Sequence, residues 1–505
     1  MLERNQSLVA VSVGDPQYPS QPPFHPPVEV EECLFPEHSI ESNAAYIGVR
    51  ECLRLAGLDI GNFGTPYWNP FTELIRPGET VLLKPNLVKE SHPRDPQGWQ
   101  YVLTHGSIVR AVSDYVWKAL EGRGKIIVAD GPQTDSSFDA IVRLLGLVEV
   151  QRFYQRKGLR FELIDLRREQ WTNRDGVIVD RRRLPGDPYG NIAFDLGNAS
   201  EFAGHRGGGR YYGADYDSNQ VNQHHIDGRH EYLLAGSAVG CDVLINLPKL
   251  KTHKKAGVTL SLKNLVGINT DKNWLPHHTE GDPARGGDEH PQPNAKHRIE
   301  RRLVAASHKA LVAFPRSGGW LARQIRQPSL RVFGETERVI RSGNWYGNDT
   351  LWRMCLDLNK LLLYGDIEGR LRTGTELNRK RHYVVVDGIV GGEGRGPMDP
   401  DPVRSGFVAF GTHAPSVDAV CCCLMGFDPE SIPIVGNAFR CVEYSLGHGD
   451  WRSIEVRSNR PQWNRPLADI PCHATLGFQP HFGWKGHIER NRDPVAEETC
   501  SKARI

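Results

Sequence analysis

The stretch Asp242–Asn269 reads DVLINLPKLKTHKKAGVTLSLKNLVGIN. Its opening, Val243-Leu244-Ile245, is apolar at every residue, the pattern of a strand buried on both faces of a parallel sheet. Pro248 cannot donate to a ladder and therefore ends that strand. Around and after it crowd five lysines (Lys249, Lys251, Lys254, Lys255, Lys263), His253 and three asparagines (Asn246, Asn264, Asn269). Ligands of open α/β sheets bind outside the carboxyl ends of the strands, so this stretch predicts a fold class and a site together. If the backbone stays extended past Pro248, Lys249, Lys251 and His253 alternate onto one face.

Working outward, Thr80–Leu87 (TVLLKPNL) is a strand, Gly106–Leu120 has helical spacing, and Lys125–Ala129 (KIIVA) is a second buried strand. Phe138–Leu147 reads as a helix, Phe161–Asp165 as a strand, and Tyr232–Val239 as a helix leading into the strand at Asp242. His382–Val386 and Phe407–Phe410 are further strands, the latter followed by a helix over Pro415–Met425. Strands alternating with helices predict an α/β fold with a mostly parallel sheet and flanking helices. The expected organisation is a proline-rich arm (1–40), an α/β section carrying most of the site (41–269), a loop with a mainly helical basic insertion (270–345), a second α/β section completing the core (346–440) and an irregular C-terminal tail (441–505).

A chain of 505 residues, 39% hydrophobic and 24% charged, can bury a large core in one large or two ordinary domains. A net charge of +2 gives no reason to expect nucleic acid as a partner. No run reaches the length of a membrane span and the N-terminus lacks a signal-peptide core, so the expected location is cytoplasmic. None of the ten cysteines stands in a C-x-x-C pair, and an iron–sulfur cluster or zinc ribbon is not expected. Cys421, Cys422 and Cys423 read as small core residues. Lys296–Arg331 holds nine Lys or Arg and one acid, Glu300, interleaved with apolar residues. Such a segment suits a solvated helical insertion, or peripheral contact with an anionic membrane.

Four strand ends carry similar polar residues: Lys84-Pro85-Asn86, Asp130-Gly131-Pro132, the opening stretch, and Asp387-Gly388 with Glu393-Gly394-Arg395-Gly396-Pro397. Singly, each is an ordinary strand-terminating turn; together they predict convergence on one cleft. Lysines and amides suit an anion, whereas carboxylates and histidine suit proton transfer or a metal. GGEGRG is not a dinucleotide fingerprint, because Pro397, Pro400 and Pro402 forbid the helix that must follow. Asn273–Pro291 (NWLPHHTEGDPARGGDEHP) supplies His277 and His278, which with His253 are candidate ligands for a divalent transition metal. The alternative reading of that segment is a lid over the lysines. His224 and His225, with Asp215 and Asp217, either line the same cleft or form a surface loop.

The phrases VLLKPNLV (81–88), IIVADG (126–131), INLPKLKTHKKAGVTLSLKNLVGIN (245–269), DGIVGGEGRGP (387–397) and FVAFGTHAPSVDAVCCCLMGFDP (407–429) resemble the domain of unknown function 362 family, with Asp418 at a characteristic acidic position. The resemblance implies an α/β fold. WLPHHTEGDPARGGDEHP and GNWYGNDTLWRMCLDLN (343–359) look like a subgroup met among cell-envelope polysaccharide genes. Some members add a ferredoxin-like cysteine module, which this sequence lacks. THKKAGVTLSLKNLVG also resembles the site segment of nickel-pincer lactate racemase, which would make Lys263 or Lys251 the cofactor-holding lysine and His253 a ligand or base.

The expected function is an isomerase- or epimerase-type activity, with or without a metal, on a small anionic or sugar-like substrate. Its expected catalytic residues are His253, Lys263, Asp387 and Glu393. Lys84, Asn86, Asp130, Lys249, Lys251, Asn264 and Asp418 are the expected substrate-binding or orienting residues. The alternative is a non-catalytic binding or assembly protein at the membrane surface, acting through 296–331.

Overall fold

Val243–Leu247 lies at the centre of a ten-stranded sheet and is buried at every residue. The computed structural model describes residues 8–174, 177–213, 218–292, 339–373, 375, 379–447 and 449–490. The basic segment Lys296–Arg331 lies outside the described residues, as do Asp215 and Asp217. In chain order the strands are β1 (Leu8–Val13), β2 (Thr80–Pro85), β3 (Lys125–Asp130), β4 (Phe161–Asp165), β5 (Glu169–Arg174), β6 (Val177–Arg183), β7 (Asn191–Asp195) and β8 (Tyr211–Tyr212). They continue with β9 (Glu231–Ala235), β10 (Val243–Leu247), β11 (Lys249–His253), β12 (Gly257–Thr259), β13 (His278–Thr279), β14 (Arg381–Glu393), β15 (Asp401–Gly411) and β16 (Glu455–Ser458).

The main sheet runs β16-β1-β15-β14-β10-β2-β3-β4, with β11 on the carboxyl half of β14 and β12 paired to β11. β14, β10, β2, β3 and β4 are mutually parallel, and β15 is antiparallel to both β14 and β1. Strands from both predicted α/β sections thus join one sheet. Its two faces bury alternate residues, as a covered parallel sheet requires. Val81, Leu83, Val243, Ile245 and Val385 face the helices Ala44–Leu55 and Gly106–Leu120. Leu82, Leu244, Val384 and Val386 face the helices Leu351–Tyr364 and Ala414–Met425. Cys421, Cys422 and Cys423 are free, buried thiols in that second core.

Four segments differ from the sequence expectation. Part of the arm, Leu8–Val13, is a strand between β15 and β16, because its apolar run is buried on both faces of the sheet. Within the tail, β16 pairs with it, and short turns make up much of the remainder. Glu231–Ala235 is a strand paired with β7, and only Gly236–Gly240 is helical. β14 extends to Glu393, so much of the glycine-rich "loop" is strand. Its glycines answer to packing: a Cβ on Gly391 would lie 2.7 Å from the Phe478 ring, and one on Gly396 2.0 Å from Thr252 O.

No helix among the described residues is long and apolar enough to cross a membrane. Leu244 is fully buried in the central strand. Leu244→Ala is expected to lower stability by about 2–5 kcal/mol in equilibrium urea unfolding, through lost transfer energy and the cavity left behind.

Candidate functional site

The strand ends enclose a cleft of about 440 Å³. Lys84 and Asn86 reach it from β2, Asp130 and Gly131 from β3, and Lys251 and His253 from β11. Thr259 comes from β12, Lys263 and Asn264 from the short helix Ser261–Asn264, and His277 from the histidine-rich segment. Pro397 and Met398, beyond β14, close the fourth side.

A buried polar network forms the floor. Lys84 Nζ lies 2.7 Å from Asp130 Oδ1 and also donates to Pro85 O at 2.7 Å and Asn264 Oδ1 at 3.3 Å. Asp130 accepts from the backbone N–H groups of Leu87 (2.7 Å) and Gly131 (2.8 Å). Asn264 accepts from Asn86 Nδ2 at 2.9 Å and donates to Lys84 O and Asn246 Oδ1. Burial lowers the Lys84 pKa, with Asp130 opposing the shift. Gly267 covers the ion pair: a Cβ there would lie 1.8 Å from Asp130 Oδ1 and 2.9 Å from Lys84 Nζ.

The predicted set Lys249, Lys251 and His253 is divided. The register of β11 against β14 shifts between Lys249 and Lys251, an irregularity that breaks simple alternation. Lys251 and His253 line the cleft, whereas Lys249 pairs with Asp387 at 3.1 Å in a separate, fully buried cluster. Asp387 there also accepts from Tyr18 Oη (2.5 Å) and His105 N (2.8 Å), locking the N-terminal arm to the sheet. This is a structural clamp, since the lone pairs of Asp387 are committed to internal donors. Glu393 likewise stands outside the cleft and accepts from Gln479 N at 2.7 Å.

Asp418 acts at one remove. From the helix Ala414–Met425 it accepts from the N–H groups of Ser261 (2.8 Å) and Leu262 (2.9 Å) and from the Ser261 hydroxyl. It thereby caps the short helix that aims Lys263 and Asn264 at the cleft. Burial pushes its pKa up to about 7 against those donors.

The histidines divide by tautomer. His253 Nδ1 accepts from the backbone N–H groups of Lys255 and Ala256, each at 3.1 Å. Neutral His253 therefore carries its proton on Nε2 and offers the cleft a donor, not the lone pair that a base or metal ligand needs. Burial, then Lys263, holds its pKa well below the usual histidine range. His277 is the converse: Nδ1 must donate to Leu275 O at 2.9 Å, which leaves Nε2 as an acceptor. Its pKa is also held well down by burial, with Lys255 adding to the effect. His278 pairs through β13 with β8 and places Nδ1 3.3 Å from Lys255 Nζ. Among the described residues no group of three or more His, Cys, Asp or Glu is placed to hold a metal ion, and His253, His277 and His278 form no such group. His224 and His225 do not line the cleft; the first stacks on Trp274 and the second meets Trp274 O at 2.8 Å.

The sequence placed Lys255 in the lysine-rich stretch without a role of its own and assigned none to Thr259. Both belong to the β11–β12 hairpin, whose register pairs Lys251 with Thr259 and His253 with Gly257. Gly257, at positive φ, was the available hairpin signal. Burial, then neighbouring Lys254, lowers the Lys255 pKa to about 7. The tail supports this turn, because Trp484 Nε1 donates to Lys254 O at 2.8 Å.

Residues 192–423 match the model of a family described as a domain of unknown function, DUF362. It is the family that the sequence motifs resemble. The match spans the lysine stretch and reaches the helix bearing Asp418, while Lys84 and Asp130, on β2 and β3, precede it. A crystal structure of a Thermotoga maritima protein from the Northeast Structural Genomics Consortium is similar over 66% of this chain and 50% of its own, at 10% identity and a TM-score of 0.25. The chain thus spans half the length of that protein, and a likeness at this level equates neither fold nor function. No curated protein matches the chain.

Gly267→Ala is expected to force apart the Lys84–Asp130 pair and to lower stability by about 1–3 kcal/mol in denaturant unfolding. Lys255 yields a second expectation. Folded, it loses its proton near pH 7; unfolded, only near pH 10.4. Between those values the unfolded chain binds the extra proton, so this residue's contribution to stability rises with pH. Compared by thermal melting, wild type is therefore expected to gain on Lys255→Met from pH 7 to pH 9. A constant or shrinking difference contradicts the lowered pKa.

Proposed function

We propose that this protein is an enzyme of the isomerase or epimerase type that moves a proton on a small anionic substrate. The observation that carries the reading is Lys255, an amine tuned to about pH 7 in a cleft otherwise rich in cations. A base works best with a pKa near the working pH, and perturbed values of this kind gather at functional sites. Lys251 and Lys263 hold the substrate's negative charge. Unprotonated Lys255 takes a proton from a carbon next to a carbonyl or carboxyl group. His253 Nε2–H donates to the oxygen on which charge develops, a role a neutral imidazole can fill. His277 Nε2 supplies an acceptor for the proton's onward transfer. Returning the proton to the same carbon from the other side inverts it, and returning it to a neighbouring carbon isomerises the substrate, so no other reactant is consumed.

The test is hydrogen exchange in D₂O, followed by NMR over a panel of 2-hydroxy acids, uronic acids and sugar phosphates. At least one compound is expected to exchange a single C–H, with a rate that rises with pH through about 7 as Lys255 loses its proton. Lys255→Met is expected to slow exchange by about 100-fold or more. Exchange at the wild-type rate in that variant, or none with any compound, rejects the reading.

A further inference from the structure

Lys251 is fully buried, and its Nζ donates to one carbonyl, Val102 O at 2.5 Å. No carboxylate lies within ion-pair distance of it among the described residues; the neighbouring buried acids Asp130 and Asp387 are paired with Lys84 and Lys249. A buried lysine without a counter-ion is driven toward its neutral form, and burial holds the Lys251 pKa well below the usual lysine range; an anion bound beside it would restore the charge. Directly across the ladder from Lys251 stands Thr259, on β12. Its side chain is 3% exposed and lines the cleft, yet Oγ1 has no hydrogen-bond partner. Cross-strand neighbours present their side chains on the same face, so the amine without a carboxylate partner and the unpartnered hydroxyl adjoin. Lys263 faces the same cleft, and burial lowers its pKa as well.

The kinds of cation narrow the anion's class. Among the described residues six lysines line the cleft (Lys84, Lys251, Lys254, Lys255, Lys263 and Lys272), and no arginine does. A planar carboxylate is matched by the bidentate guanidinium fork, whereas ammonium groups act as point charges that can converge on a tetrahedral oxyanion from several directions. Thr259 Oγ1 adds a short, rotatable donor. We propose that the substrate of this cleft carries a phosphoryl group, held by Lys251 and Lys263 with Thr259 Oγ1 donating to one of its oxygens. The proposal rests on the proton-transfer reading of the same cleft and names the class of its substrate. The apolar lining, Val88, Trp171, Val266 and Met398, is left for the uncharged body of the molecule.

The experiment is calorimetric titration of the full chain with inorganic phosphate and pyrophosphate, against malonate and succinate. At least one phosphorus oxyanion is expected to bind about tenfold or more tightly than either dicarboxylate. Lys251→Met and Lys263→Met are each expected to weaken it by about tenfold or more, and Thr259→Val by about fivefold. Lys251→Met is expected to fold, since it exchanges a buried amine without a carboxylate partner for an apolar chain of similar length. Thermal melting checks each variant, and Thr259→Val tests the site independently of charge. Dicarboxylates binding as tightly as phosphates, or phosphate affinity unchanged in all three variants, overturns the proposal. Deuterium exchange on unphosphorylated acids with no phosphate binding rejects the phosphoryl assignment alone. Phosphate binding that depends on these residues, with no exchange on any compound, rejects proton transfer and leaves the anion site standing.

Discussion

The ion pair between Lys84 and Asp130 is the constraint on which the cleft depends. It joins the ends of two adjacent parallel strands beneath the turn that carries Gly267. Both side chains are almost entirely buried, so the pair persists only because its remaining valences are satisfied by Pro85 O, Asn264 and two backbone N–H groups. Breaking such a pair by removing one partner costs about 3–5 kcal/mol, because the survivor is left charged and dry. The same bonds bring Asn264 against β2, and with it the short helix that carries Lys263. Asp418 fixes that helix from its other end. A rigid floor thus supports side chains from several separate segments, the arrangement a preorganised site requires.

Above the floor the electrostatics are lopsided. Six lysines share a cleft with two aspartates, Asp130 and Asp135. Burial, and then mutual repulsion, favour neutral forms, which accounts for the lowered pKa values of Lys251 and Lys255 and for the neutral His253 and His277. Backbone contacts then give the two imidazoles opposite tautomers. A site can in this way hold donors, acceptors and cations side by side without an excess of carboxylates.

The framework was readable wherever local pattern and burial agree. Val243–Ile245, Thr80–Leu87, Lys125–Ala129 and Phe161–Asp165 are apolar runs of strand length, and each is a strand of the main sheet. Glu231–Ala235 was misread because an isolated run of mixed apolar residues suits a helix or a strand equally, and its pairing with β7 settles the choice. Leu8–Val13 carried a strand pattern hidden by the proline-rich residues that follow it. Among the site residues, Lys84, Asn86, Asp130, Lys251, His253, Lys263 and Asn264 do meet in one cleft. Lys249, Asp387, Glu393 and Asp418 do not, because register and partner choice are non-local.

The sequence by itself determined the α/β class, the strand ends at which polar side chains gather and the dominance of lysine there. Those properties follow from local hydrophobicity, from proline's missing donor and from composition, each carried by a few consecutive residues. Only the tertiary structure decided which lysine is neutralised by a carboxylate and which is not, which imidazole nitrogen faces the cleft, and that Thr259 stands beside Lys251. Those depend on the register between β11 and β14, the hairpin closing at Gly257 and desolvation by distant segments such as the tail around Trp484. Charge state and tautomer are properties of an enclosed environment, and that environment exists only once the chain has folded around it.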